Sequence, residues 1–246
     1  MAYTKHIKSF NQEIGGSVIT STVQQLDAYI GQIKNWMMQI DSRWSCTEIP
    51  STFIYEPLEL EVPITIRKLI WNNCNDTELL LYCSVYTGGG GKLMMVLKYH
   101  IMHQNTSPVE TDEYSGPLHY VVGDNWFVMH TMGNGTGPPD SGNLRTYAIG
   151  ALIGDDGITR CFWQDGSSTG MYKNGIREYP LEIGVTNGNM YIDGYLYDGS
   201  STLTTKISNG VCVASANKGV EYTIDGKLYY TIPVKGTNGY HTLLLS

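Results

Sequence analysis

A stripe of apolar residues near the start of the chain predicts a helix. In residues 19–40, ITSTVQQLDAYIGQIKNWMMQI, apolar side chains recur at alternating spacings of four and three. This spacing is the a/d pattern of a heptad repeat, and most residues between the apolar positions are polar. The segment is therefore predicted to be an amphipathic helix that buries one narrow seam. The helix seam consists of Ile19, Val23, Leu26, Ile30, Ile33, Met37 and Ile40.

Two partners fit this seam. It can pack on the chain's own domain, or it can pack against other copies of the chain as a short coiled coil. Under the second hypothesis the helix is an oligomerisation element. The candidate interface residues are then Ile19, Val23, Leu26, Ile30, Ile33 and Met37.

Beyond Trp44 the apolar period changes from that of a helix to that of strands. Apolar and other residues alternate from Leu58 to Ile66, which predicts a half-buried strand. Two strand-like runs, ELLLYCSVYT and KLMMVLKYHIM, flank the glycines of residues 88–91 and predict a hairpin. A second hairpin, LHYVV followed by WFVMH, is predicted to turn at residues 123–125.

A Gly/Pro-rich stretch suggests how the chain divides into domains. GNGTGPPDSGN, residues 133–143, has no apolar periodicity. We therefore predict a helical segment at 1–45, a β domain at 46–132, a linker at 133–144 and a second, antiparallel β domain at 145–246.

Asp-Gly and Asn-Gly pairs punctuate the last hundred residues. Both residues of such a pair tolerate the positive φ of a type I′ turn, so the pairs favour hairpins. The predicted fold class is mainly β, with antiparallel sandwich or barrel domains and one N-terminal amphipathic helix. The first residues of the pairs are Asp156, Asp165, Asn174, Asn187, Asp193, Asp198, Asn209, Asp225 and Asn238.

Composition and charge argue against several partners. Charged residues make up only 16% of the chain, whereas it holds 28 glycines and 18 tyrosines, which favours β surfaces and protein contacts. A net charge of −7 without a basic run opposes nucleic-acid binding. The chain lacks a long apolar segment and starts without an apolar leader region, so we expect no membrane association and synthesis in a cytoplasm. The five scattered cysteines are then expected to be reduced.

The candidate catalytic and metal-ligating residues have simpler structural explanations. His100 and His103 lie three apart in a predicted strand, where their side chains would point to opposite faces. Asp155, Asp156, Asp193 and Asp198 could ligate calcium or cleave glycosides, but three of them precede glycines and suit turns. No nucleophile-elbow, zinc-protease or EF-hand pattern is present. We therefore predict a protein that is not an enzyme and has no metal or cofactor.

Aromatic residues in the predicted hairpins of the last domain are candidate ligand-binding residues. Exposed rings on a β surface can stack on sugars or anchor a partner protein, although alternation sends about half of them inward. Trp163, Tyr195 and Tyr197 are the candidates for this role. The sequence leaves open which of the aromatic residues lie in the core.

The helix, the Gly-punctuated β regions, the abundant Tyr, Gly and Thr and the low charge together resemble virion structural proteins of tailed bacteriophages. This resemblance implies a non-enzymatic structural component of a homo-oligomeric assembly, such as a tail or tail-associated protein. It would fold in the host cytoplasm, reside in the virion and contact copies of itself and other virion proteins. The alternatives are a carbohydrate-binding adhesin module at a fibre tip, which would bind a surface glycan, and a polysaccharide-cleaving enzyme.

Overall fold

The structure of the chain is a computed structural model. It describes residues 3–11, 19–48, 65–72, 77–87, 93–103, 109–112, 117–131, 148–165, 168–173, 176–180, 191–214, 221–235 and 241–246. The predicted strand from Leu58 to Ile66 lies mostly outside these residues, as does the predicted linker at 133–144.

One helix and seventeen strands form in the described residues. The helix, α1, spans Ile19–Ile40, which confirms the helix predicted from the heptad spacing. The strands are β1 Thr4–Lys8, β2 Trp44–Glu48, β3 Thr65–Trp71, β4 Thr77–Thr87, β5 Leu93–His103, β6 Val109–Asp112, β7 Leu118–Val122, β8 Trp126–Thr131, β9 Ala148–Ile153, β10 Thr159–Asp165, β11 Ser168–Lys173, β12 Ile176–Pro180, β13 Tyr191–Asp198, β14 Leu203–Ala214, β15 Glu221–Ile224, β16 Lys227–Lys235 and β17 His241–Leu245.

The smaller sheet has five antiparallel strands in the order β2-β3-β4-β5-β6. Its longest ladder joins β4 to β5 from Thr77↔His103 to Thr87↔Leu93, which confirms the hairpin predicted around residues 88–91. Helix α1 packs on β2, β3, β4 and β5 of this sheet. The helix and the five-stranded sheet therefore form one layered unit.

The larger sheet has twelve antiparallel strands in the order β1-β7-β8-β9-β10-β11-β12-β13-β14-β17-β16-β15. Its edges are β1, which precedes the helix in the chain, and β15. The sheet curls until these edges approach each other: the Tyr3 hydroxyl, next to β1, donates a hydrogen bond to Glu221 of β15 at 2.9 Å. The mainly β, antiparallel fold class is thus confirmed, but the chain begins with a strand rather than with the helix.

Alternation along strands β7 to β10 of the larger sheet gives this part of the sheet two apolar faces. In β8, Phe127 and Met129 join a core shared with α1 and the five-stranded sheet. Trp126 and Val128 point the other way, into a core enclosed by the second half of the curled sheet. Strands β7 to β10 therefore form a middle layer between the helical unit and strands β11 to β17.

The chain passes from the smaller sheet to the larger sheet after β6, upstream of the predicted domain boundary. β7 and β8 precede the proposed linker in the chain, yet β8 pairs directly with β9, which follows it. The core around α1 likewise contains residues from β2 to β5 and from β7 to β10. The described residues on the two sides of 133–144 therefore share one sheet and one core.

The Asp-Gly and Asn-Gly pairs serve two different purposes. Asp225 and Gly226 have φ values of 49° and 77° in the turn between β15 and β16, as a type I′ hairpin requires. Asp193-Gly194 and Asn209-Gly210 are instead inside β13 and β14, where the register shifts after Asp193. A Cβ on Gly194 would lie 3.0 Å from the Gly210 backbone, so the glycines allow the strands to approach closely. The prediction of turns at these two pairs is wrong.

Candidate functional site

A row of part-exposed tyrosines lies on the outer surface of the curled sheet. Tyr179 of β12 is directly opposite Tyr197 of β13, and Tyr197 is directly opposite Leu203 of β14. Opposed residues of antiparallel strands share a face, so these three side chains are neighbours. Tyr195 is two residues from Tyr197 and shares the same face. Leu196, between them, points inward and is fully buried.

Cationic side chains accompany these rings. The guanidinium of Arg177 lies 5.1 Å from the centre of the Tyr179 ring, and the Lys206 ammonium lies 5.5 Å from that of Tyr195. Lys206 also forms an ion pair with Asp193 at 2.6 Å, which raises the pKa of Lys206. We call this surface the outer tyrosine face, and it comprises Tyr179, Tyr195, Tyr197, Leu203, Arg177 and Lys206.

The structure brings together two of the three predicted ligand-binding residues. Tyr195 and Tyr197 lie on the outer tyrosine face, and both are partly exposed. Trp163 is in β10, where it pairs with Ile149 and Gly170, and two strands separate β10 from β13. The side chain of Trp163 is outside the described residues. Tyr179, which completes the row, was not among the three candidates because its opposition to Tyr197 depends on strand register.

The helix seam packs within its own chain. Leu26, Ile30, Ile33 and Met37 are fully buried in the core that α1 shares with the five-stranded sheet. The side chains of Ile19 and Val23 lie outside the description. Ile40 is partly buried against the same core. The five described seam residues therefore have a partner in the same chain, and their burial does not call for a second copy.

A buried histidine pair on the inner face was missed in the sequence. His119 of β7 is directly opposite His130 of β8, and their rings stack with centroids 4.7 Å apart. A hydrogen bond of 2.5 Å joins His130 Nε2 to the Tyr230 hydroxyl. In the described part of the chain, His130 Nδ1 is buried without a hydrogen-bond partner. Counting outward from the predicted turn at 123–125 would have placed His119 opposite Met129. The structure shows a register one residue different, with Val122 opposite Phe127, and this register brings His119 opposite His130.

The surroundings of this pair keep it neutral. Burial, together with nearby His119 and Lys5, lowers the pKa of His130 to about 3. Burial and then Lys5 also lower the pKa of His119. The pKa of Tyr230 is raised by burial and by Glu221. A base with so low a pKa abstracts protons poorly near pH 7, so the geometry favours a structural role for the pair.

The predicted acidic candidates are engaged in structural contacts. Arg160 is fully buried, and its five N–H donors have acceptors on Asp156, Glu178 and the Ile158 carbonyl. Burial disfavours the charged guanidinium, but the hydrogen bonds that Arg160 donates to Asp156 and Glu178 outweigh this effect and raise the pKa of Arg160. Asp155 accepts hydrogen bonds from the Ser208 backbone N–H and side-chain hydroxyl. Asp155, Asp156 and Glu178 thus hold neighbouring strands and loops together through these hydrogen bonds.

A second polar cluster ties the end of α1 to the larger sheet. Asp41 accepts hydrogen bonds from Arg43 Nε at 2.8 Å and from the Tyr120 hydroxyl at 2.6 Å. The Tyr120 hydroxyl in turn accepts from Trp44 Nε1 at 2.8 Å. Burial disfavours the Asp41 carboxylate, but the hydrogen bonds from Arg43 and Tyr120 outweigh it and lower the Asp41 pKa. The cluster holds the two layers in register.

The described ranges contain no group of three or more His, Cys, Asp or Glu side chains arranged to hold a metal ion. His100 and His103 both lie in β5, but their side chains are outside the description. Cys46, Cys83, Cys161 and Cys212 are free thiols, and Cys74 is not described.

Within the described segments, no helix has the length and apolar character needed to cross a bilayer.

Among the clusters described above, the outer tyrosine face is the candidate site that the described residues support best. Comparison with protein-family models, with curated proteins and with solved structures found no match to this chain.

Proposed function

We propose that this chain is a non-enzymatic structural subunit of a homo-oligomeric assembly whose copies associate through the outer tyrosine face. The observation that supports this proposal is the cross-strand row of Tyr179, Tyr197 and Leu203 on an outward surface. Leu203 is 52% exposed and lies beside the Tyr197 ring, so it adds apolar surface to the face. Tyrosine and arginine are enriched at protein interfaces, and both occur here.

The charges of the face favour a second copy as its partner. Lys206 and Asp193 lie side by side, with side chains 41% and 60% exposed. In a twofold interface each patch meets itself, so a patch that carries both signs can pair its cation with the partner's carboxylate. A strongly acidic or basic partner would match only half of these charges. The resemblance to tailed-phage virion proteins supports the same proposal, with a tail or tail-associated position in the particle.

The oligomeric mass of purified protein tests this proposal. Leu203→Asp places a charge within the face, beside Tyr197, and we expect it to shift the assembly to monomers in light scattering or analytical ultracentrifugation. Met38→Asp is the matched control, because Met38 is an exposed apolar residue of α1, 36% exposed and outside the face. The control should keep the wild-type mass. Dissociation by both variants, or by neither, would contradict the proposal.

Carbohydrate binding is the second candidate function of the same face. Its support is the pair of opposed rings, Tyr179 and Tyr197, on the same face as the exposed carboxylate of Asp193 farther along β13. Rings on which a sugar stacks, together with a polar group that accepts its hydroxyls, are the elements of a glycan site. A wild-type monomer that binds an oligosaccharide array, and loses this binding upon Tyr197→Ala, would favour an adhesin over the assembly subunit.

A further inference from the structure

The first strand of the chain is attached to the larger sheet as an addition to its edge. β1 pairs only with β7, in an antiparallel ladder from Thr4↔Val122 to Lys8↔Leu118. The elements that follow it in the chain, α1 and β2 to β6, belong to the other layer, and the larger sheet resumes only at β7. β1 is therefore the one described strand of this sheet that comes before the helix.

Few side chains hold β1 in place. Its five residues are exposed or half-exposed, and Ile7 is 53% exposed. Most of the side-chain anchoring comes from Tyr3, which is 8% exposed and whose ring centroid lies 5.8 Å from that of Trp126 and 5.6 Å from that of Tyr230. Beyond the strand, the half-buried Phe10 ring packs edge-on against Trp36 of α1. Backbone pairing and two rings thus account for the attachment.

The surface that receives β1 is built entirely from other parts of the chain. The edge of β7 supplies the backbone partners, Trp126 and Tyr230 supply the pocket for the Tyr3 ring, and Glu221 accepts its hydroxyl. An identical strand from a second copy carries the same tyrosine and the same register. In that copy it meets the same receiving surface, and this equivalence is the physical basis of strand exchange between identical subunits.

We propose that residues Tyr3–Lys8 form an exchangeable docking strand, so that β1 of one copy pairs with β7 of a second copy and places its Tyr3 ring between Trp126 and Tyr230 of that copy. This contact uses a different surface from the outer tyrosine face. It goes beyond the proposed function and does not rest on it. The two contacts together would give each subunit two separate means of association.

Disulfide trapping with full-length chains tests the exchange. One variant carries Thr4→Cys and another carries Val122→Cys, two positions that are directly opposite in the ladder. Directly opposed residues have Cα atoms at a distance that suits a disulfide. After the two reduced variants are mixed and then oxidised, we expect a species of twice the single-chain mass on a non-reducing gel. Mass spectrometry should locate its bridge between the introduced thiols.

The control mixture combines Thr4→Cys with Ser200→Cys, an exposed turn residue that does not pair with β1, and should give only background cross-linking. The double variant Thr4→Cys/Val122→Cys reports the register within one chain. Closure of the bridge in this double variant, with no trapped dimer from the mixture, would overturn the proposal, as would failure of both. Adding Tyr3→Ala to the Thr4→Cys chain should lower the yield of dimer, whereas Ile7→Ala should not. An unchanged yield with Tyr3→Ala would also count against specific docking.

Discussion

His130 shows how a single ionisable side chain can link stability to pH. Its folded-state pKa of about 3 lies below the ordinary value of 6.5, so folding favours the neutral imidazole. The resulting stabilisation is fully present above pH 6.5 and is lost progressively as the pH falls from there towards about 3. The histidine pair therefore makes the inner core sensitive to acid, although it carries no charge near neutral pH.

We expect His130→Gln to reduce this dependence. Between pH 6.5 and pH 4, the free energy of unfolding of the wild type should fall more steeply than that of the variant, by up to about 1.4 kcal/mol per pH unit. The glutamine cannot take up the proton, so the gap between the two proteins should narrow as the pH falls. Urea unfolding at several pH values measures both slopes. Parallel curves would show that folding does not shift the pKa of His130.

At the level of elements, helix α1 contributes to the core of its own chain. Ile33 is fully buried against the five-stranded sheet, and removing its side chain leaves a cavity. We expect Ile33→Ala to lower the free energy of unfolding by about 2–5 kcal/mol. Asn35→Ala, on the exposed side of the helix, should change it by less than about 0.5 kcal/mol. Chemical denaturation checks both values, and sedimentation tests whether the oligomeric mass stays unchanged. A lower mass with unchanged stability would instead assign the seam to a subunit interface.

Two glycines offer a matched test of local backbone geometry. Gly194 faces the Gly210 backbone, where an added Cβ would lie 3.0 Å away, so we expect Gly194→Ala to destabilise the protein by about 1–3 kcal/mol. Gly31 lies within α1 with nothing inside 4 Å of an added Cβ. The higher helix propensity of alanine should therefore make Gly31→Ala stabilising by about 0.5–1 kcal/mol. Thermal unfolding of the two variants should shift in opposite directions, and equal shifts would contradict the close approach of β13 and β14.

For the whole molecule, the shared core predicts that both sheets unfold together. Phe127 of β8 contacts Trp44 and Trp71 of the five-stranded sheet, each at a ring-centroid distance of 5.0 Å. We expect Phe127→Ala to lower the free energy of unfolding by about 3–5 kcal/mol. Amide hydrogen exchange should speed up in β3 and β4 as well as in β8 and β9. Faster exchange confined to β8 and β9 would instead support two independent domains.

The sequence predicted the elements better than it predicted their partners. The heptad spacing gave both ends of α1, and the alternating runs around residues 88–91 and 123–125 gave two hairpins, because these patterns depend on neighbours within a few residues. Asp193-Gly194 and Asn209-Gly210 resembled turn pairs, yet they lie within strands. Their role depends on the approach of two strands, which a local pattern does not encode.

The candidate site shows the same limit. Tyr195 and Tyr197 could be chosen from sequence because aromatic residues are plentiful in the hairpins of the last domain. Tyr179 is one of the same aromatic residues, but only the register of β12 against β13 places it opposite Tyr197. Likewise, the partner of the helix seam depended on which sheet lay beside α1.

By itself, the sequence determined that this protein is mainly β with one amphipathic helix, since periods of two and of about three and a half are properties of consecutive residues. The tertiary structure decided that the helix seam is buried within the chain, that β7 to β10 form a middle layer and that Tyr179, Tyr195 and Tyr197 face outward. It also brought Tyr3 to Glu221 across the sheet. These outcomes follow from the curl of a twelve-stranded sheet, which sums small twists over strands far apart in sequence. No single segment carries that information.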